Sequence, residues 1–142
     1  MSTITIRLYK VKSLDGNWLL GVKGKLDKEM GYFILDTGAQ VNMVESKFAQ
    51  HLLLTEKTLP DVEIVGISPE GEVEFTMAEK VPIYLSKFSL TINDVMVMDM
   101  SHIRAKFKEK YNVLGLLGNN FLFKHKAKVN YEEMILEILK LK

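Results

Sequence analysis

The run Tyr32-Phe33-Ile34-Leu35 is apolar throughout and ends abruptly on Asp36, Thr37 and Gly38. Consecutive apolar residues before a turn read as an interior strand, covered on both faces. Such a strand delivers a carboxylate to the edge of a hydrophobic interior, where an ionised group without partners is expensive. A fold built around it must hydrogen-bond the carboxylate, neutralise it or use it. Gly38 allows a sharp turn that brings backbone N–H groups close, and the Thr37 hydroxyl can donate or accept. Taken alone, Asp-Thr-Gly reads as an Asx-type turn in which Asp36 bonds its own backbone.

The surrounding sequence is that of a β protein. Ile4, Ile6 and Leu8 alternate with polar residues over 3–9, the period of a strand with one buried face. Trp18–Leu26 and residues 31–35 form a hairpin joined by Asp27-Lys28-Glu29. Strand-like runs return over 62–90, broken by Ser68-Pro69-Glu70-Gly71, whose proline and glycine suit a β-turn at the tip of a projecting hairpin. Residues 91–100 extend again, with Val95 and Val97 on one face and Met96, Met98 and Met100 on the other. Short helices are expected over 46–53, after a Ser101 cap with Ile103, Phe107 and Tyr111 in one stripe, and over Asn119–Lys124 with Asn119 a possible cap. Residues 127–131 and 134–141 close the chain as strands, the last with an apolar spacing that also fits a helix.

Composition narrows the function classes. The chain has 142 residues, 47% of them hydrophobic, with 19 basic and 18 acidic side chains. That length suits one domain with its own core, and no repeat or linker divides it. A formal net charge of +1 gives no global field toward nucleic acid or anionic lipid. The absence of cysteine excludes disulfides, thiol catalysis and thiolate metal sites, and fits a reducing compartment, with the cytoplasm as the default expectation. The first ten residues do not read as a signal peptide, and no apolar stretch approaches the roughly 20 residues of a membrane span.

Three features in order, Ile34-Leu35-Asp36-Thr37-Gly38-Ala39, the turn-tipped hairpin, and Leu114-Gly115-Leu116-Leu117-Gly118 before a short helix, resemble the retropepsin-like (retroviral-type) aspartic peptidases. The resemblance runs from about Leu19 to Ile138, and Gln40 after the alanine is similar to the related domain of the ubiquitin-linked Ddi family. It implies a mainly β fold, a closed acid-protease barrel with a flap hairpin and short helices, in one domain over 1–142. It also implies that Asp36 is the catalytic aspartate, that Thr37 clasps its counterpart across a dimer axis, and that Gly38 and Ala39 line the cleft floor. Residues 64–75 become the flap, with Gly66, Ile67 and Ser68 nearest the substrate, and Leu116, Leu117 and Gly118 the apolar turn supporting the catalytic loop. Pro69 and Glu70 depart from the glycine-rich retroviral flap. Gln40-Val41 replaces acidic residues of the retroviral enzymes, and Asn119 stands where they often carry arginine, so the ion pair that braces those dimers is absent.

One Asp-Thr-Gly supplies one carboxylate, whereas this chemistry uses two, so the resemblance implies a homodimer acting on polypeptide. Two adjacent carboxylates cannot both ionise easily and titrate as a pair sharing a proton, as aspartic peptidases do. No metal, nucleotide or other cofactor is required. The terminal segments 3–9 and 134–141 are candidates for joining across the twofold axis. His51, His102 and His125 lack the spacing of a shared metal site. The alternate methionines are read as core packing, and Arg104, Lys106, Lys108 and Lys110 as a solvated face. The competing function is a peptide-binding or dimerisation module that keeps the fold and cleaves little.

Overall fold

A computed structural model describes residues 2–56 and 74–141. The opening alternation forms strand β1 (Ser2–Arg7), with Ile4 and Ile6 buried and its other residues exposed. Its partner is the end of the chain. Strand β10 (Ile135–Lys140) runs antiparallel to β1 from Ser2↔Lys140 to Arg7↔Ile135, and its other edge takes β9 (Lys128–Asn130). The last apolar run is therefore a strand, and the helical alternative does not form. The terminal segments do join, but to each other within one chain: β10 has both edges occupied, leaving β1 and β9 as the edge strands of this sheet.

The second sheet contains β2 (Tyr9–Lys12), β3 (Trp18–Leu26), β4 (Glu29–Leu35), β5 (Asn42–Glu45), β6 (Phe75–Leu85), β7 (Phe88–Met98) and β8 (Val113–Leu117), in the order β2-β3-β4-β8-β5-β7-β6. Pairing of Gly24 with Leu85 and Lys25 with Tyr84 joins β3 to β6 and closes the barrel. The flap residues Gly66, Ile67 and Ser68, with the turn at 68–71, lie outside the described residues. A turn that the apolar pattern does not announce falls at Ser86-Lys87: β7 begins at Phe88 and runs unbroken to Met98, paired along its length with β6. Ser86 takes a positive φ of 54° there, a conformation its residue type does not announce.

Alternation along β7 feeds two hydrophobic clusters. Val95 packs with Val22, Phe33, Val44, Ile83 and Leu117, whereas Met96 and Met98 pack with Val11, Ile34, Met43 and Leu116. Met96, Met98 and Met100 are at most 1% exposed, so they are core residues, each contributing roughly 1.5–3 kcal/mol by burial. The helices are shorter than their apolar spacing suggests. Helix α1 is Ser46–Ala49 and α2 is Ser101–Arg104, each about one turn. Ser101 is not the cap of α2: Met100 holds that position, and the Asp99 carboxylate accepts from the Ser101 N–H at 2.8 Å. Ile103, Phe107 and Tyr111 still pack on one cluster, although only Ile103 is helical. Helix α3 (Asn119–Lys124) matches its expected bounds, with Gly118 and not Asn119 at the cap. Among the described residues no helix is long and apolar enough to cross a membrane.

Candidate active site

Strand order fixes where the Asp36 loop must go. Strand β8 lies between β4 and β5, parallel to the first and antiparallel to the second, so the link from Leu35 to Asn42 crosses the end of β8. Phe33, Ile34 and Leu35 are buried as expected, and the Asp36 N–H extends the ladder by donating to the Leu117 carbonyl at 3.0 Å. The chain then turns, with the Ala39 N–H donating to the Asp36 carbonyl at 3.2 Å.

Helix α3 starts under this crossing and holds it. The Asn119 and Asn120 N–H groups donate to the Ala39 and Gln40 carbonyls at 2.8 and 3.0 Å, using helix-start donors that have no partner inside the helix. The Asn119 side chain donates to the Thr37 carbonyl at 2.8 Å. The neutral amide of Asn119 is thus tied to the Asp36 loop of its own chain. The crossing is close enough to demand glycine: a Cβ on Gly118 would stand 2.4 Å from the Val41 carbonyl oxygen. Leu116, Leu117 and Gly118, named from the sequence as the supporting turn, are all buried and lie against the loop.

The Asp36 carboxylate is partly exposed, and its Oδ1 accepts from the Gly38 N–H at 3.0 Å. That is the local bond of an Asx turn, and it engages one oxygen; among the described residues no hydrogen bond reaches Oδ2. Gly38 does not adopt a positive φ. Its small size matters for another reason, since a Cβ there would sit 3.2 Å from Asp36 Oδ1. Thr37 and Gly38 are exposed and Ala39 is partly exposed. An apolar cleft of about 460 Å³ opens beside Thr37, bordered by Trp18, Leu19, Leu35, Leu122 and Tyr131.

Three buried polar residues also support the site: Asn42 and Glu45, which no motif marks, and His125, whose spacing gave it no role. Asn42 is 1% exposed; its Oδ1 accepts from the Gly118 N–H at 2.9 Å and its Nδ2 donates to the Asn93 carbonyl at 3.0 Å. It thereby clamps the loop's exit to the α3 turn. Glu45 is 2% exposed, accepts from the Met100 N–H at 3.2 Å, caps α1 and lies 4.0 Å from Arg104. Arg104 is thus not simply part of a solvated face. His125, 4% exposed at the end of α3, places Nδ1 2.7 Å from the Leu139 carbonyl and ties that helix to β10. Burial pushes its pKa down, partly opposed by the Leu139 carbonyl. A polar residue inside an apolar stretch, as in Val41-Asn42-Met43-Val44-Glu45, was the available signal. No cluster suited to a metal occurs among the described residues.

No protein-family model matches this sequence, and no curated protein matches it. Solved structures do. The retroviral protease-like domain of Ddi1 from Leishmania major aligns with a TM-score of 0.58 at 16% identity, covering 87% of this chain and 94% of that one. A retropepsin-like aspartic protease from Rickettsia conorii aligns with a TM-score of 0.50 at 16% identity, covering 99% of this chain and 94% of that one. Likeness at this identity is one of architecture: the chain has the retropepsin-like fold.

Proposed function

We propose that the chain is an aspartic endopeptidase working as a homodimer, in which the Asp36 carboxylates of two copies meet and share a proton. The observation that carries this reading is the placement of Asp36, at the end of a buried strand, on a loop pinned by α3, with one carboxylate oxygen held by Gly38 and the other unengaged among the described residues. An isolated Asx turn needs no such scaffold. Exposed Thr37 suits contact with a second copy, as do Trp18 and Tyr131 beside it, 60% and 72% exposed, because aromatic side chains favour interfaces.

In this mechanism the ionised Asp36 takes a proton from a bound water as its oxygen attacks the peptide carbonyl carbon. The protonated Asp36 donates to the developing oxyanion. Collapse of the tetrahedral intermediate breaks the C–N bond while a carboxyl proton passes to the leaving nitrogen. Gly38 and Ala39 form the floor of a cleft for an extended polypeptide, and Leu116, Leu117 and Gly118 hold the loop. Residues 1–142 then form one peptidase domain, and the lack of cysteine suits a reducing compartment such as the cytoplasm.

The test is cleavage of a mixed peptide library from acidic to neutral pH by wild type and Asp36→Asn, with sedimentation of both. The proposal expects two dimeric proteins and cleavage by the wild type alone. Two dimeric proteins that both fail to cleave above background would assign the chain instead to non-catalytic peptide binding or dimerisation, and cleavage undiminished in Asp36→Asn would remove Asp36 from the chemistry.

A further inference from the structure

The barrel end remote from Asp36 carries a concentration of positive charge that the proposed peptidase chemistry does not use. Lys23 and Lys25 stand on the same outward face of β3, two residues and so about 7 Å apart. Register places Tyr32 opposite Lys23, and both Met30 and Tyr84 opposite Lys25. Two backbone bonds bring further lysines to this floor. The Ser86 N–H donates to the Lys23 carbonyl at 2.6 Å, drawing in the β6–β7 turn with Lys87. The Tyr32 N–H donates to the Asn112 carbonyl at 2.8 Å, drawing in the segment that carries Lys110. All four lysines line one concavity of about 590 Å³, a size typical of small-ligand sites.

None of these ammonium groups has a carboxylate partner among the described residues, and no carboxylate lines the concavity. Lys23, Lys87 and Lys110 rest instead on the rings of Tyr9, Phe88 and Tyr111, at 4.6, 5.6 and 5.0 Å. Glu29, at the same end of the barrel, is engaged by the Asn112 side chain at 2.9 Å. In a chain of net charge +1, four lysines without a carboxylate partner among the described residues thus border one recess. Lysines act as point charges toward phosphate, and Ser86 and Tyr84, which line the same recess, carry hydroxyls that can serve as neutral donors. High charge density in a small volume matches a compact oligophosphate better than an extended acidic peptide, whose charges spread along its length.

We infer that this concavity is a binding site for a compact oligophosphate, either free or carried on a nucleotide. The site lies about 16 Å along β4 from Asp36, so its occupation does not require a working peptidase centre. Tyr84, 46% exposed, offers a ring on which a nucleobase can stack.

Calorimetric titration of the intact chain with inorganic tripolyphosphate and with adenosine triphosphate, near physiological ionic strength, tests the inference. Saturable one-to-one binding is expected, weakened on the order of tenfold or more by Lys25→Glu combined with Lys110→Glu. Lys128→Glu combined with Lys140→Glu makes the same charge change on the other sheet and should leave binding nearly intact. Tighter binding of the nucleotide assigns stacking to Tyr84, and equal binding assigns a phosphate site alone; both support the inference. Should the reversal pair fail to fold, Lys87→Gln and Lys110→Gln singly provide the comparison. Absence of saturation, equal loss in the control pair, or tighter binding of a single-stranded oligonucleotide of matched charge would overturn it.

Discussion

Replacing Asn42 with alanine isolates the clamp between the Asp36 loop and the α3 turn. The Asn42 side chain serves two backbone groups, the Gly118 N–H and the Asn93 carbonyl. Their losses differ. The Asn93 carbonyl keeps a donor in the Asn120 amide at 3.2 Å, whereas the buried Gly118 N–H is left with none. One orphaned buried donor, with the lost side-chain bond, costs about 2–3 kcal/mol. In a chain of 142 residues, with an unfolding entropy of about 2.1 cal/mol/K per residue, this lowers Tm by about 7–10 °C. Asn42→Asp restores an acceptor for Gly118 but turns a carboxylate oxygen toward the Asn93 carbonyl, so it should be no more stable than alanine. Urea unfolding at fixed protein concentration, with m unchanged, measures both variants. An unfolding free energy for Asn42→Ala within about 0.5 kcal/mol of wild type would refute the clamp, and full rescue by aspartate would reduce it to the Gly118 bond alone.

Other outcomes follow from the same geometry. Glu45→Ala removes the acceptor of the buried Met100 N–H and the cap of α1, and should lower stability by about 2–4 kcal/mol, with Glu45→Gln losing less; equal midpoints for all three proteins would contradict this. Gly118→Ala drives a methyl into the Val41 carbonyl and should destabilise by more than about 2 kcal/mol, so a neutral result would show that the crossing is looser than described. His125 binds its proton less readily when folded, because burial lowers its pKa. Stability from the neutral ring is therefore present above the ordinary value of 6.5 and falls as pH drops below it. Chemical denaturation from pH 7 to 5 should show a flatter loss for His125→Gln than for wild type; parallel profiles would remove the imidazole as the cause.

The parts of the fold set by local pattern were legible from residues alone. Trp18–Leu26 is a strand over its expected bounds because a hairpin needs only neighbouring residues to specify it. The methionine alternation announced two packing faces, and two clusters meet along β7. Failures came where tertiary pairing overrides periodicity. The spacing of Ile103, Phe107 and Tyr111 reads as a helix, yet α2 stops at Arg104 and the later residues reach the same core as loop. The 134–141 run fitted both periods, and pairing with β1 and β9 made it a strand. In the candidate site, Asp36-Thr37-Gly38 and Leu116-Leu117-Gly118 stood out by residue type, but their meeting is a consequence of β8 lying between β4 and β5. Asn42, Glu45 and His125 carry no local sign of their roles because a buried polar residue is recognised by its partners, which lie tens of residues away or across a turn.

Whether catalysis needs two copies of Asp36 is decided most directly by subunit mixing. Wild type and Asp36→Asn are combined in equal amounts, allowed to exchange, and assayed on a cleavable peptide at constant total protein. If each site takes one aspartate from each copy, random pairing leaves about one quarter of the wild-type activity. Activity of about one half would mean that each chain cuts on its own, and would contradict the shared-proton account.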